Sequence, residues 1–320
     1  MILVLVEHDA GVPAELSLEA LTLGRRLAGE LGVPLEAVLH GGPAPEAAAE
    51  LGAYGVSRVH LLVDERLADY APEAWAQGLV EVVQAQGAGV VLASGTDRGQ
   101  ELLAHAAARL DAPLATNCIA VQAGDPLLVV RQRWGGSLLE EARLSGPTKL
   151  LTLAPRVLAA EPAAEARPAS VEELRPTLAA EHLRVRVAHR EEPDAGRVLL
   201  TDARVVVGGG RGVGSAEGFA ALEELARLLG GAVGGSRVVT NLGWRSHADQ
   251  IGQTGARIAP ELYIACGISG AVQHMVGCRG AKRILAINKD RNAPMVARAD
   301  YAVIGDLQEI IPALVAELRR

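Results

Sequence analysis

The sequence predicts an α/β protein of two domains: an N-terminal parallel sheet with an antiparallel extension, then a C-terminal doubly wound parallel sheet. Three observations predict it. Short aliphatic runs at 2–6, 35–39, 59–63 and 89–93 alternate with segments of helical period at 16–31, 72–86 and 98–110. Strands that are apolar throughout, set between amphipathic helices, belong to a parallel sheet covered on both faces. From residue 114 the pattern changes to successive extended segments, and after about residue 204 strand and helix alternate again. The length, 320 residues, suits two cores better than one.

In chain order, the extended segments 115–121, 126–134, 137–144 and 148–153 follow the first alternating set, with turn residues Gly124-Asp125-Pro126 and Gly135-Gly136 between the first three. Strands in succession with tight turns predict an antiparallel extension. Ser94, Thr96 and Asp97, at a strand-to-helix junction, present either a phosphate cradle or a helix start capped by Asp97, and the cap is the commoner use. Stretches 160–170 and 190–196 are rich in Pro, Ala, Glu and Arg and read as exposed connections around a predicted strand at 183–189. They place the boundary near residue 190, giving domains 1–190 and 191–320. The second domain begins with a strand at 204–207, the turn Gly208-Gly209-Gly210-Arg211-Gly212-Val213-Gly214-Ser215 and a helix over 216–229. Strands at 262–266, 283–288 and 301–304 follow, then a helix over 306–319.

Composition narrows the function. With 31 basic against 38 acidic residues the net charge is −7, and no polybasic run is present, which argues against nucleic acid. Four Tyr, three Trp and one Phe are too few for a base-stacking platform. Cys118, Cys266 and Cys278 form no Cys-x-x-Cys pair, so neither a disulfide framework nor a metal cluster is indicated, and they read as reduced, small apolar residues. The eight His have no metal spacing. Trp134 and Trp244 read as packing residues, and Asp290 and Asp300 as turn formers. The N-terminus carries no basic segment and its apolar run is too short for a membrane span, so a cytoplasmic location is expected.

The chemistry concentrates in the second half. The turn at 208–215 lacks the Gly-x-Gly-x-x-Gly spacing, and Ser215 stands where a Walker A loop carries Lys, so neither a standard NAD fingerprint nor a P-loop is supported. Glycines after a buried strand still let backbone N–H groups approach an anion, and Arg211 adds fixed charge. Beyond it come Gly235-Ser236-Arg237, Asp249-Gln250-Ile251-Gly252-Gln253-Thr254-Gly255, Gly267-Ile268-Ser269-Gly270-Ala271-Val272-Gln273-His274 and Ile287-Asn288-Lys289-Asp290. These loops are rich in donors and hold no carboxylate pair, nucleophile–base set or metal spacing. Such a site suits a bound cofactor better than hydrolysis.

Residues 262–288, from Leu-Tyr-Ile-Ala through Gly-Ile-Ser-Gly-Ala-Val-Gln-His to Ala-Ile-Asn, resemble the signature of electron transfer flavoprotein alpha subunits. Gly-Gly-Arg-Gly at 209–212, Gly-Ser-Arg at 235–237, Ile-Gly-Gln-Thr-Gly at 251–255 and Ala-Asp-Tyr at 299–301 are similar to family motifs in the same order. The resemblance is specific over about 204–320 and rests on the α/β pattern elsewhere.

It implies a heterodimer in which this chain, through residues 191–320, holds FAD, and a beta subunit packs on residues 1–190 and binds AMP. It implies an electron carrier of fatty acid β-oxidation without substrate turnover of its own, taking electrons from acyl-CoA and related dehydrogenases and delivering them to a membrane quinone reductase. The N-terminal fold implied is an adenine-nucleotide-hydrolase-like sheet that no longer binds its own nucleotide. Carried over to this sequence, Arg211 is expected near the flavin or its phosphates, and Ser236 and Arg237 near the isoalloxazine. Gln250, Ile251, Gly252, Gln253 and Thr254 form the next contact segment, with the Thr254 hydroxyl directed toward flavin N5. Ser269, at the helix start, and Gly270, Ala271, Val272, Gln273 and His274 are expected around the pyrophosphate and the ring O2 edge, with Asn288, Asp306 and Leu307 at the adenosine end. Two alternatives stay open: a bifurcating flavoprotein with a second FAD in the beta subunit and NADH as donor, and, from another class, an NAD-dependent oxidoreductase.

Overall fold

The protein is described by a computed structural model over residues 1–9, 11–40, 50–134, 136, 138–188 and 198–320. Gly135, His189, the 190–196 stretch and the boundary drawn near residue 190 lie outside the described residues. The chain forms two compact units, Met1–Arg190 and Glu191–Arg320.

In the first unit the elements are β1 (Ile2–Leu5), a short hairpin of β2 (His8–Asp9) and β3 (Val12–Pro13), α1 (Glu15–Leu31), β4 (Leu35–His40), β5 (Arg58–Leu62), α2 (Pro72–Gln86), β6 (Val90–Ser94), α3 (Asp97–Leu110), β7 (Leu114–Gln122), β8 (Leu127–Arg133), β9 (Leu138–Leu144), β10 (Lys149–Leu153) and β11 (Ser170–Leu174). Among the described residues they make a nine-stranded sheet in the order β11-β5-β4-β1-β6-β10-β7-β8-β9. Strand alternation divides its core in two: Ile2 and Val4 pack with α1 residues such as Leu21 and Leu27, while Leu3 and Leu5 face α2 and α3 through Leu79 and Leu103. Gly32 and Gly87, at φ 65 and 63, stop α1 and α2 in the left-handed turn that a side chain disfavours.

Three expectations are corrected. β7, β8 and β9 are an antiparallel meander as expected, but β10 is not its fourth member. It returns between β6 and β7, parallel to both, because its five residues are all buried and need cover on both faces. At the β6–α3 junction Thr96, not Asp97, is the cap: its hydroxyl accepts from Gly99 N at 2.9 Å. No phosphate cradle forms there, because the hydroxyls of Ser94 (2.8 Å) and Thr96 both donate to the Glu7 carboxylate. Within 183–188 no strand forms; Ala180–Leu183 is a 3-10 turn, and the connection instead supplies β11 as an exposed edge strand parallel to β5.

The second unit contains β12 (Val205–Gly209), α4 (Phe219–Leu228), β13 (Ala232–Ser236), α5 (Arg237–Asn241), β14 (Gln250–Ile251), β15 (Leu262–Cys266), α6 (Val272–Cys278), β16 (Ile284–Asn288), α7 (Pro294–Arg298), β17 (Tyr301–Ile304) and α8 (Leu307–Leu318). The sheet is parallel throughout in the order β14-β13-β12-β15-β16-β17. Phe219, Leu222 and Leu225 of α4 and Ile311 and Val315 of α8 cover one face; Tyr263, Met275 and Cys278 belong to the other. The order reverses between β12 and β15, and a doubly wound sheet opens a crevice at the carboxyl ends of such a pair. β13 and α5, read from sequence as part of a loop, flank it.

The three cysteines are free and buried, and burial pushes their thiols up, to about 12 for Cys118 and Cys266 and about 11 for Cys278. They are inert core residues, as expected. Trp244 packs partly buried against the α4–α8 core, but Trp134, expected to pack, stands 82 % exposed in the turn after β8. Asp290 and Asp300 are turn and strand-end residues: Asp290 Oδ1 accepts from Asn292 N, and Asp300 Oδ2 from Ile284 N.

Candidate cofactor site

The crevice at the switch point is a cavity of about 760 Å³, within the roughly 300–1,000 Å³ range of cofactor clefts. Its floor is a near-contact of two loops. A Cβ on Gly210 would stand 2.3 Å from the Gly267 carbonyl oxygen, and one on Gly212 would stand 2.7 Å from Gly267 Cα. Only glycine lets the β12 and β15 exits meet, with Gly210 N donating to Cys266 O at 2.8 Å and Gly212 N to Gly267 O at 3.1 Å.

A second close approach shapes the opposite wall. Gly277 in α6 lies against Gly252, where a Cβ would be 2.3 Å from Gly252 N. The loop after β14 is thereby pressed onto α6 and tied there, with Gln253 N donating to Gln273 O at 2.8 Å and Ile258 N to Gly277 O at 2.7 Å.

Of the residues expected at the site, Arg211, Ser236, Arg237, Gln250, Ile251, Gly252, Gln253, Thr254, Ser269, Gly270, Ala271, Gln273, His274 and Asn288 line this one cavity. Val272, Asp306 and Leu307 do not. Val272 points to solvent at 61 % exposure, as the first residue of α6. Asp306 caps α8 through Gln308 N and pairs with Lys289 at 2.7 Å, and Leu307 is buried in the α4–α8 core behind Gly267. Ser269 also sits before α6 rather than at its start, which falls at Ala271. Val238, Asn241 and Ile268 line the cavity without having been anticipated, the first two because Arg237 opens a helix that sequence reasoning left as a loop.

The electrostatics favour an anionic, hydrogen-bond-accepting guest. Arg211 and Arg237 are both exposed on the lining, and neither takes part in a salt bridge among the described residues. By contrast Arg245, on the same unit, is held by Glu223 and Asp249. Ser236 stands at the α5 N-cap position yet makes no side-chain cap bond, leaving its hydroxyl for the cavity. Asn288 is committed to shape: Nδ2 donates to Ile268 O at 3.0 Å, and Oδ1 accepts from Asp290 N.

His274 is neutral. Burial, only partly offset by the Ile251 backbone, lowers its pKa from the usual 6.5 to about 4. Its Nε2 lies 2.8 Å from the hydroxyl of Tyr263, which burial keeps protonated well above pH 10, so the phenol is always able to donate. Nδ1 is buried without a hydrogen-bond partner among the described residues. A buried polar atom left open on a cavity-lining side chain is what a bound ligand would satisfy. Among the described residues there is no cluster that could hold a metal ion, and Asp290 is the one carboxylate on the lining. Among the described residues the lining offers hydrogen-bond donors, two arginines and a single carboxylate.

A family model described as the electron transfer flavoprotein domain matches residues 2–179, and one described as the electron transfer flavoprotein FAD-binding domain matches residues 199–279. The chain is 40 % identical to an electron transfer flavoprotein subunit alpha of Mycobacterium tuberculosis, with 99 % of this chain and 98 % of the relative covered. It is 35 % identical to the subunit alpha of Bacillus subtilis over 100 % of this chain and 97 % of the relative. It is also 36 % identical to a protein named FixB from Clostridium saccharobutylicum, over 99 % and 95 %. The second match spans the glycine floor, both cavity arginines and the Gln250–Thr254 loop, and it ends one residue after α6. The residues present fit a flavin dinucleotide: open guanidiniums for phosphates, glycine-exposed N–H groups, and hydroxyl and amide donors for a ring rich in acceptors. The chain belongs to the electron transfer flavoprotein alpha subunit family.

Proposed function

We propose that the chain holds one FAD in the cavity of its second unit, as the alpha subunit of a heterodimer whose beta subunit packs on residues 1–190 and carries AMP. In this reading it is a cytoplasmic electron carrier of fatty acid β-oxidation with no substrate turnover of its own. Acyl-CoA and related dehydrogenases donate, and a membrane quinone reductase accepts. A bound flavin supplies the redox chemistry; this chain supplies binding, orientation and charge. Arg211 and the N–H groups at the glycine floor neutralise phosphate. Arg237 and His274 favour negative charge on the ring, and Thr254 donates a hydrogen bond to it. The single observation that carries the reading is a large cavity lined by two arginines that take part in no salt bridge among the described residues, with several open donors and one carboxylate.

The test is co-expression with the companion subunit. The complex should be yellow, contain one FAD per heterodimer, and be reduced by an acyl-CoA dehydrogenase. A complex without flavin refutes the proposal. Two FAD per heterodimer with oxidation of NADH would assign the chain to the bifurcating type instead.

A further inference from the structure

We infer that Thr240, one layer behind the cavity and absent from its lining, is a positioning residue: by donating to the Gln250 amide oxygen it locks the orientation that the Thr254 carbonyl selects, in which the Thr254 hydroxyl keeps its proton for the guest. The inference rests on the flavin reading for the identity of that guest, and on the hydrogen bonds of this chain for everything else.

The Thr254 backbone carbonyl can only accept. It lies 3.1 Å from the Gln250 side-chain nitrogen. The reversed amide would set two oxygens against each other there, so the NH₂ group of Gln250 must face Thr254. Its oxygen then faces Thr240, whose Oγ1 lies 2.6 Å away. Both residues are buried, Thr240 at 5 % and Gln250 at 3 % exposure, so water does not freely replace a missing donor. The Thr240 hydroxyl also lies 3.1 Å from the Arg237 carbonyl of its own helix, but it has one proton. The shorter contact takes it, because only that arrangement gives the amide oxygen a donor.

The other end of the relay sets the chemistry. Gln250 Nε2 is 3.0 Å from Thr254 Oγ1, so that hydroxyl accepts from the amide. Its own proton must leave in another direction, and no acceptor for it is found among the described residues. Thr254 lines the cavity and is exposed there. The chain Thr240 O–H to Gln250 to Thr254 thus fixes the direction of every proton and presents a donor to the guest. Local structure explains why Thr240 can do this: it follows Arg237 by three residues in α5, so it lies over the first turn while Arg237 opens onto the cavity.

The test compares Thr240→Val, which keeps the shape but removes the hydroxyl, with Thr240→Ser, which keeps it. The protein is the full chain with its companion subunit, stripped of flavin and titrated with FAD. Two quantities are read: the ¹H–¹⁵N resonances of the Gln250 side-chain amide in the flavin-free state, assigned with Gln250→Glu, and the affinity for FAD. In Thr240→Val the amide resonances should move and broaden, and FAD binding should weaken about tenfold; Thr240→Ser should restore both. In a Thr254→Val background, Thr240→Val should weaken FAD binding no further, whereas a merely structural role would add its own loss. Unchanged amide resonances overturn the relay, as does a loss that adds fully in the double variant. A parent complex that binds no FAD overturns the proposed function, and the amide resonances still decide the relay.

Discussion

Each unit buries a histidine whose pKa burial lowers well below the usual value, His40 in the first and His274 in the second, and this makes the stability of both units sensitive to mild acid. His40 in the first unit stacks on Trp75 with ring centroids 4.6 Å apart, and its Nε2 lies 2.8 Å from the Trp75 carbonyl. Burial lowers its pKa from 6.5 to about 4, with the Trp75 hydrogen bond pulling weakly upward, and His274 is lowered to about 4 in the same way. The unfolded imidazoles bind protons near pH 6.5 and the folded ones only near 4, so between these values the unfolded chain holds more protons. The stability is fully present above pH 6.5 and is lost as the pH falls toward 4. Linkage gives a slope of about 1.4 kcal/mol per pH unit for each histidine, and about 2 kcal/mol lost per unit of the protein at pH 5. Urea unfolding of the full chain at pH 7.5, 6 and 5 measures this, followed through Trp75 for the first unit and Trp244 for the second. With a denaturant slope near 2 kcal/mol per molar, each midpoint should drop by about 1 M between pH 7.5 and 5. His40→Gln should flatten the first profile only, and His274→Gln the second only. Asp64 and Glu224 are held near 2 by their arginine partners, so their contribution is lost below about pH 4.5, while Glu19 in the first unit, raised by burial, acts with the opposite sign and moderates the first profile. Parallel pH profiles in parent and variants would refute the reasoning.

Three further outcomes follow from the geometry. Tyr263→Phe leaves His274 Nε2 buried without its donor and should destabilise the second unit by about 1–3 kcal/mol, with the imidazole ¹⁵N shifts reporting a change of tautomer; unchanged shifts would show that the phenol does not set the ring. Arg211→Ala and Arg237→Ala each remove a charge-assisted contact of about 1.5–3 kcal/mol, so each should weaken FAD binding at least tenfold in the complex, and more at low than at high salt. Thr96→Ala removes the α3 cap and one donor to Glu7, and should cost about 1 kcal/mol in chemical unfolding of the first unit; a loss within 0.3 kcal/mol of zero would assign the cap no weight.

How far the sequence could be read follows from what each residue must satisfy. β1, β4, β5 and β6 were legible because a strand buried on both faces leaves an uninterrupted aliphatic run. β10 was equally legible as a strand but not as a neighbour: Lys-Leu-Leu-Thr-Leu says nothing about whether it pairs with the strand before it or returns between two others. β11 was hidden because an edge strand, Ser-Val-Glu-Glu-Leu, is exposed and carries charge where core strands carry leucine. α5 was missed because Arg-Val-Val-Thr-Asn is short and β-branched, and its helical state depends on packing against β13, where Gly235 meets Val239. At the site, the glycines, arginines and loop amides announced themselves because a ligand must be approached closely. Asp306 and Leu307, expected there from the family resemblance, cap α8 and pack in its core outside the cavity lining.

Two residues behind the lining that sequence reasoning gave no site role, Tyr263 and Thr240, share a physical function. A histidine ring and a glutamine amide can each be turned over with little change in shape, exchanging donor for acceptor. In a cavity that works by donating hydrogen bonds, that ambiguity would be costly. Tyr263, which keeps its proton, lies 2.8 Å from Nε2 of His274 and can donate to it, the arrangement in which the ring proton sits on Nδ1. The backbone carbonyl of Thr254, with Thr240 on the other side, orients Gln250. Both devices are buried, where water does not compete for their hydrogen bonds and where an unmet donor or acceptor is penalised most. Motif residues therefore mark where a guest is touched, while the polarity of each touch is decided one layer deeper, by residues ten and eleven positions away in the chain.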